Sequence, residues 1–159
     1  MSSVTSGAVT ERVEDADGPG RTAPATGRSL YFTDPRTVSV EHESVPTPDP
    51  DEVLVAARVS AVSSGTELLI YRGEMPRDLA ADSTIDALDG DLSYPLKYGY
   101  ATVGDVVALG DDVDESWRDR RVFAFNPHES HFAASPADLV PVPEDVATET
   151  AALLPTAET

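Results

Sequence analysis

The 159-residue sequence contains no cysteine. Disulfides, thiolate-held iron–sulfur clusters and thiolate zinc sites are therefore excluded. Lysine is almost missing: the 11 basic residues are arginines except for Lys97. No apolar run approaches the ~18 residues that a membrane-spanning helix needs. The first residues also lack the apolar stretch of a secretory signal.

Acid is abundant. The 29 Asp and Glu residues leave a formal net charge of −18, which would repel nucleic acid and anionic membranes. The carboxylates are spread along the whole chain. A distributed carboxylate surface with little lysine suits a cytoplasmic protein kept hydrated in concentrated salt, where the Debye length falls to about 3 Å at 1 M and self-repulsion is screened. An ordinary acidic protein is the alternative.

The length is room for one domain of ordinary size, and 40% hydrophobic residues suffice for a core. Residues 1–28 are mostly Ser, Thr, Gly, Ala, Pro, Asp and Glu. They read as a disordered acidic tail that cannot bury enough apolar surface to offset ordering entropy. Order is expected from residues 29–32 and runs to residue 159.

From Tyr31 the pattern is mainly β. Residues 37–42 alternate, with Val38 and Val40 on one face. Val53, Val55, Ala57, Val59 and Ala61 share a face at period 2 and mark the strongest strand, 52–62. Residues 66–71 read as a short helix capped by Thr66 or Ser64 and stopped by Gly73. Residues 75–93 read as a loop and 98–109 as a strand broken by Gly99 and Gly104. Short strands follow at 121–125 and 139–142, with a helix beginning at 148–154. Short strands with glycines at bends and one or two short helices predict a small closed or nearly closed β-barrel.

The order of segments resembles the N-terminal, chaperonin-10-like catalytic domain of the medium-chain dehydrogenases/reductases. Four stretches carry the resemblance: 53–73, with Ser-Ser-Gly-Thr-Glu at 63–67; 94–110, with Lys-Tyr-Gly-Tyr-Ala at 97–101; 120–125; and 139–155. These versions are similar to zinc-type alcohol dehydrogenases and bacteriochlorophyllide dehydrogenases. The resemblance implies a small alcohol or carbonyl substrate, NAD(P) as coenzyme, and a Rossmann domain in cis or trans. It also exposes departures. Ser64 stands where zinc members carry a cysteine, Tyr100 where they carry a histidine and Ala101 where they carry a glutamate. Serine and tyrosine hydroxyls are poor ligands for a cation that prefers thiolate and imidazole, so no catalytic zinc is expected.

Without zinc, hydroxyl donors must meet charge developing on the substrate oxygen. The resemblance assigns that role to Thr66, which would also contact the nicotinamide end; a helix cap is its structural alternative. Tyr100 inherits a cleft-facing position and alternatively reads as a partly buried barrel tyrosine. Ser64 is a further catalytic candidate but reads better as a small packing residue. His128 is a candidate acid–base group at the cleft rim. His128 and His131 would share a metal only on a helix, which Asn126-Pro127 argues against; His42 reads as surface. The acidic turn at Asp111, Asp112, Asp114 and Glu115 lacks the pattern of a calcium loop. Arg118, Arg120 and Arg121 suit phosphate or, given their acidic neighbours, surface ion pairs.

A dinucleotide site uses Gly-x-Gly-x-x-Gly between a strand and a helix, and the ten glycines contain no such run. Relatives pass into their nucleotide-binding domain where this sequence stops; Thr156 or Thr159 falls near the position that touches the nicotinamide. Two readings follow: the catalytic portion of an oxidoreductase completed by a Rossmann partner, or a non-catalytic barrel serving as a binding module. Either would expose apolar surface around Ala151 and Leu154 and favour self-association, with a homo-oligomer as its expected form. The composition predicts that the thermal midpoint rises steadily from dilute buffer to molar KCl; a midpoint indifferent to salt would contradict the halophilic reading.

Overall fold

The computed structural model describes residues 24–75 and 94–157. The segment expected as a loop, 75–93, lies almost wholly outside them, as do most of the predicted tail and Thr159.

Among the described residues seven strands and two α-helices follow in order, with two short 3-10 turns besides: β1 (Thr26–Asp34), β2 (Thr37–Ser44), β3 (Val53–Ser60), α1 (Thr66–Arg72), β4 (Thr102–Leu109), β5 (Arg121–Ala124), β6 (His131–Ala134), β7 (Leu139–Pro141) and α2 (Thr148–Ala157). The chain is mainly β, as expected. β1 starts at Thr26, so residues 26–28 belong to the strand rather than to the tail. β4 starts at Thr102: Gly99 has φ of 151°, which keeps 98–101 out of the ladder. β6 was not anticipated, because its four residues are too few to show a period and bury one side chain, Phe132.

β1 and β2 form an antiparallel hairpin, and the other five strands form an antiparallel sheet in the order β6-β3-β4-β5-β7. No continuous ladder closes these sheets into a barrel among the described residues. The hairpin is instead tied to the larger sheet by single bridges, Ser29 to Glu129 and Phe32 to Leu96. Ser130 joins both sides: its N–H donates to the Arg28 carbonyl, and its own carbonyl accepts from the Ala57 N–H, each at 2.8 Å.

The period-2 pattern of β3 is real but interrupted. Register shifts fall between Leu54 and Val55 and between Ala57 and Val59. Leu54 is consequently buried alongside Val53 and Val55. Gly104 explains the second irregularity: a Cβ there would stand 2.4 Å from the Ala56 carbonyl oxygen, so only glycine lets β4 lie this close to β3. Val38 and Val40 share a face, but it is the solvent face, 46% and 57% exposed.

Three apolar clusters position the rest. Val53, Val55, Val106, Val122 and Phe132 fill the sheet interior. Ala151 and Ala152 of α2 bury against Ala101, Val103 and Phe123; this part of the expected exposed face is covered by the chain itself. Phe32, Ile70 and Tyr98 clamp α1 against β1. Burying a side chain of this size contributes about 1.5–3 kcal/mol, enough to hold a helix of only seven residues that is marginal alone.

The only lysine has a structural post. Lys97 Nζ donates to Glu43 at 2.7 Å and to Glu129 at 3.0 Å, joining β2 to the loop that follows β5. Ser29 and Tyr31 also donate to Glu43. Burial alone would lower the Lys97 pKa, but the two carboxylates outweigh it and raise it. The Lys97 and Tyr31 hydrogen bonds hold Glu43 down from 4.5 to about 2. A depressed carboxylate pKa contributes stability above its unfolded value that is lost as the pH falls through the folded one. Unfolding free energy should therefore drop by about 1–2 kcal/mol between pH 4.5 and 2, and Glu43→Gln should flatten this part of the pH–stability curve. An unchanged acid limb in Glu43→Gln would contradict the assignment.

Candidate functional site

α1 begins where the Ser-Ser-Gly-Thr-Glu motif predicts. Its N-cap is Gly65, with no side-chain cap, so neither Thr66 nor Ser64 caps the helix; Gly73 closes it in the left-handed conformation at φ 71°. Released from capping, Thr66 is the first helical residue and lies in electrostatic reach of the Tyr98 phenol. Ser64 is exposed in the preceding turn.

Glu67 faces inward and is 2% exposed. One carboxylate oxygen accepts from the Ser63 backbone N–H, and the other bonds the Nε2 of His128. His128 Nδ1 lies 2.6 Å from the Ser60 hydroxyl. An ordinary buried carboxylate would be costly; here both oxygens have partners. His128 comes from the loop after β5 and is 9% exposed. It therefore lies beneath the surface with both ring nitrogens engaged, not at a rim. Its carbonyl accepts from Leu30 of β1 at 2.9 Å. Gly99 makes room for the ring: a Cβ there would stand 3.0 Å from His128 Nε2 and Cδ2.

Tyr100 is partly buried and meets Tyr98 edge-on, with ring centroids 6.4 Å apart. Tyr98 is wholly buried, and its hydroxyl has no hydrogen-bond partner among the described residues. Burial, then Tyr100 and Glu67, push its pKa up to about 12, with Thr66 opposing. Tyr98 thus meets Tyr100 as a neutral phenol.

The other candidates disperse. His131 sits on β6, bonded to Ser130 at 3.0 Å and lowered in pKa by burial; it shares no partner with His128. His42 is exposed on β2. Asp114 accepts from the Ser116 N–H, Arg118 pairs with Glu115, and Arg120 lies over Trp117. Arg121 donates to Thr148 and to the Pro143 and Val146 carbonyls, fixing the start of α2. These arginines serve local structure, as the ion-pair reading anticipates for Arg118. Ser64, Tyr100 and Ala101 supply no thiolate, imidazole or carboxylate, so the donor set does not fit zinc. Among the described residues no three His, Cys, Asp or Glu side chains converge, and no helix is long and apolar enough to cross a membrane.

Sequence reasoning missed Glu67 and Ser60. Glu67 was legible only as part of its motif; a glutamate in a short helix ordinarily faces water. Its partner is 61 residues away and Ser60 is 68 residues from His128, so no local spacing signals the set.

No family model matches the chain. The 2-desacetyl-2-hydroxyethyl bacteriochlorophyllide A dehydrogenase of Cereibacter sphaeroides is 30% identical over 114 residues, covering 72% of this chain and 31% of that protein. A quinone oxidoreductase from Coxiella burnetii superposes with a TM-score of 0.64 at 19% identity, over 83% of this chain and 42% of that one. A protein from Escherichia coli described as a short chain alcohol dehydrogenase, solved with NADH, gives a TM-score of 0.63 at 18% identity, over 82% of this chain and 42% of that one. The chain shares its fold with the matched part of these dehydrogenases and reductases. It spans about a third of the curated relative's length.

The site makes one stability prediction. Glu67→Ala leaves the Ser63 N–H and His128 Nε2 without their acceptor in a buried setting, and should cost about 2–4 kcal/mol in denaturant unfolding. A loss below about 0.5 kcal/mol, typical of surface substitutions, would show that Glu67 is not held as described.

Proposed function

We propose that this chain forms the substrate-side wall of an NAD(P)-dependent oxidoreductase that works without zinc. The observation that carries the reading is the packing of two segments: α1, which starts at Thr66 and buries Ile70, and 98–101, which buries Tyr98 and bears Tyr100. In the zinc members that the sequence resembles, these segments carry metal ligands; here they present hydroxyls. Thr66 and Tyr100 donate hydrogen bonds to the oxygen of an alcohol or carbonyl substrate and stabilise developing alkoxide. Glu67 and His128 act as positioning residues, fixing the turn before α1 against β1 and β3. The coenzyme supplies or accepts the hydride. The relative solved with NADH supports that assignment, and the reading gives coenzyme binding to a Rossmann domain in cis or trans.

A second reading, a non-catalytic binding module, draws on exposed apolar side chains such as Phe125, 67% exposed beyond the end of β5. Titration of NADH and NADPH in molar KCl, with and without a candidate Rossmann half, separates the two. The redox reading expects coenzyme binding and aldehyde or enone turnover only in the mixture, with turnover falling at least 10²-fold in Thr66→Val while coenzyme affinity holds. Equal coenzyme affinity with and without the Rossmann half would overturn the division of labour. Binding in the mixture with turnover unaffected by Thr66→Val would remove Thr66 from the chemistry.

A further inference from the structure

We propose that Ser60 is an activated nucleophile that takes acyl or phosphonyl groups from activated esters, with His128 as its base and Glu67 as the group that orients the base. An activated serine needs its hydroxyl within hydrogen-bond reach of a base that a third group holds in place. All three parts are present. Ser60 Oγ is 2.6 Å from His128 Nδ1, and His128 Nε2 is bonded to Glu67. The residues come from β3, the loop after β5 and α1, so the arrangement is built by the fold rather than by local sequence.

The burial gradient suits the chemistry. Glu67 and His128 are buried, whereas Ser60, at the end of β3, is partly exposed. Glu67 also accepts from Ser63, so its carboxylate is fixed on both oxygens. That arrangement sets the tautomer: Nε2–H donates to Glu67, and Nδ1 is left to accept the Ser60 proton. Gly99 confines the ring from one side.

The step balances without a further cofactor. Ser60 Oγ forms a bond to the carbonyl carbon, and the bond from that carbon to the leaving oxygen breaks. The serine proton passes to His128 Nδ1 and on to the leaving oxygen. Water then attacks the same carbon, its proton passing to His128 Nδ1; the bond from that carbon to Ser60 Oγ breaks, the proton returns from His128 to Ser60 Oγ, and the carboxylic acid leaves. With a fluorophosphonate the Ser60 Oγ–phosphorus bond forms, the phosphorus–fluorine bond breaks and fluoride leaves.

The surroundings also limit the substrate class. The next backbone N–H, of Ala61, donates to the Ala101 carbonyl at 2.9 Å and is not free for an oxyanion. One such donor is worth about 10²–10³ in rate. The reactive substrates are therefore esters and phosphonates with good leaving groups, not peptides.

The test uses the whole chain in molar KCl with an alkyl fluorophosphonate and with p-nitrophenyl acetate, and it is independent of any redox activity. Intact-mass and peptide mapping should find one phosphonyl group on Ser60. Ser60→Ala should abolish it, and His128→Gln should slow it about 10²-fold or more. Because His128→Gln also loosens the fold, a second comparison uses Ser60→Cys, which introduces the chain's single thiol. Iodoacetamide at neutral pH should alkylate it at least 10-fold faster when His128 is present than in Ser60→Cys/His128→Gln, with unfolded controls reacting equally. Equal labelling of the natural chain and Ser60→Ala would overturn the proposal. Equal alkylation of the two folded thiol variants would overturn it as well.

Discussion

The contact between the Glu67 carboxylate and the His128 imidazole is the constraint on which the candidate site depends. It joins α1 to the loop after β5, and through Ser60 and Leu30 it reaches β3 and β1. A seven-residue helix has little stability of its own, so the placement of Thr66 rests on what holds α1. Apolar packing of Ile70 against Phe32 and Tyr98 holds the helix down. The carboxylate and imidazole supply direction, because a hydrogen bond fixes angle and register where apolar contact does not.

In the metal-dependent relatives that the sequence resembles, a zinc ion would draw the segments at Ser64 and Tyr100 together. In this chain neither residue suits the metal, and the same region is tied by side chains. Two features fit a site reorganised around hydroxyls. Gly99 allows His128 to lie directly against the 98–101 segment. Tyr98 is wholly buried at the start of that segment and meets Tyr100 edge-on.

Much of the fold was legible because its signals are local. β3 declares itself by alternation, α1 by its motif and by Gly73, and the acidic turn after β4 by Gly110 and three aspartates. The misreadings have physical causes. The two bulges in β3 shift its inward face, so Leu54 is buried against the simple pattern. β6 is too short to show a period. Val38 and Val40 alternate correctly, but a two-stranded hairpin leaves one face to solvent, and alternation alone does not say which. Of the site, Thr66 and Tyr100 were reached through resemblance, and His128 through its chemistry. Ser60 and Glu67 acquire meaning only when residues some sixty positions apart come into contact. Lys97 was conspicuous for its rarity, but its partners Glu43 and Glu129 were likewise set by the fold.

The most direct measurement is proton NMR of the imidazole N–H resonances of the whole chain in molar KCl, assigned by His128→Gln. A carboxylate held against Nε2 in a buried site should give a far-downfield, slowly exchanging N–H signal from His128 that vanishes in a folded Glu67→Gln variant or moves sharply upfield. A folded natural chain whose His128 N–H exchanges as fast as that of exposed His42, with no downfield signal, would contradict the arrangement at its centre.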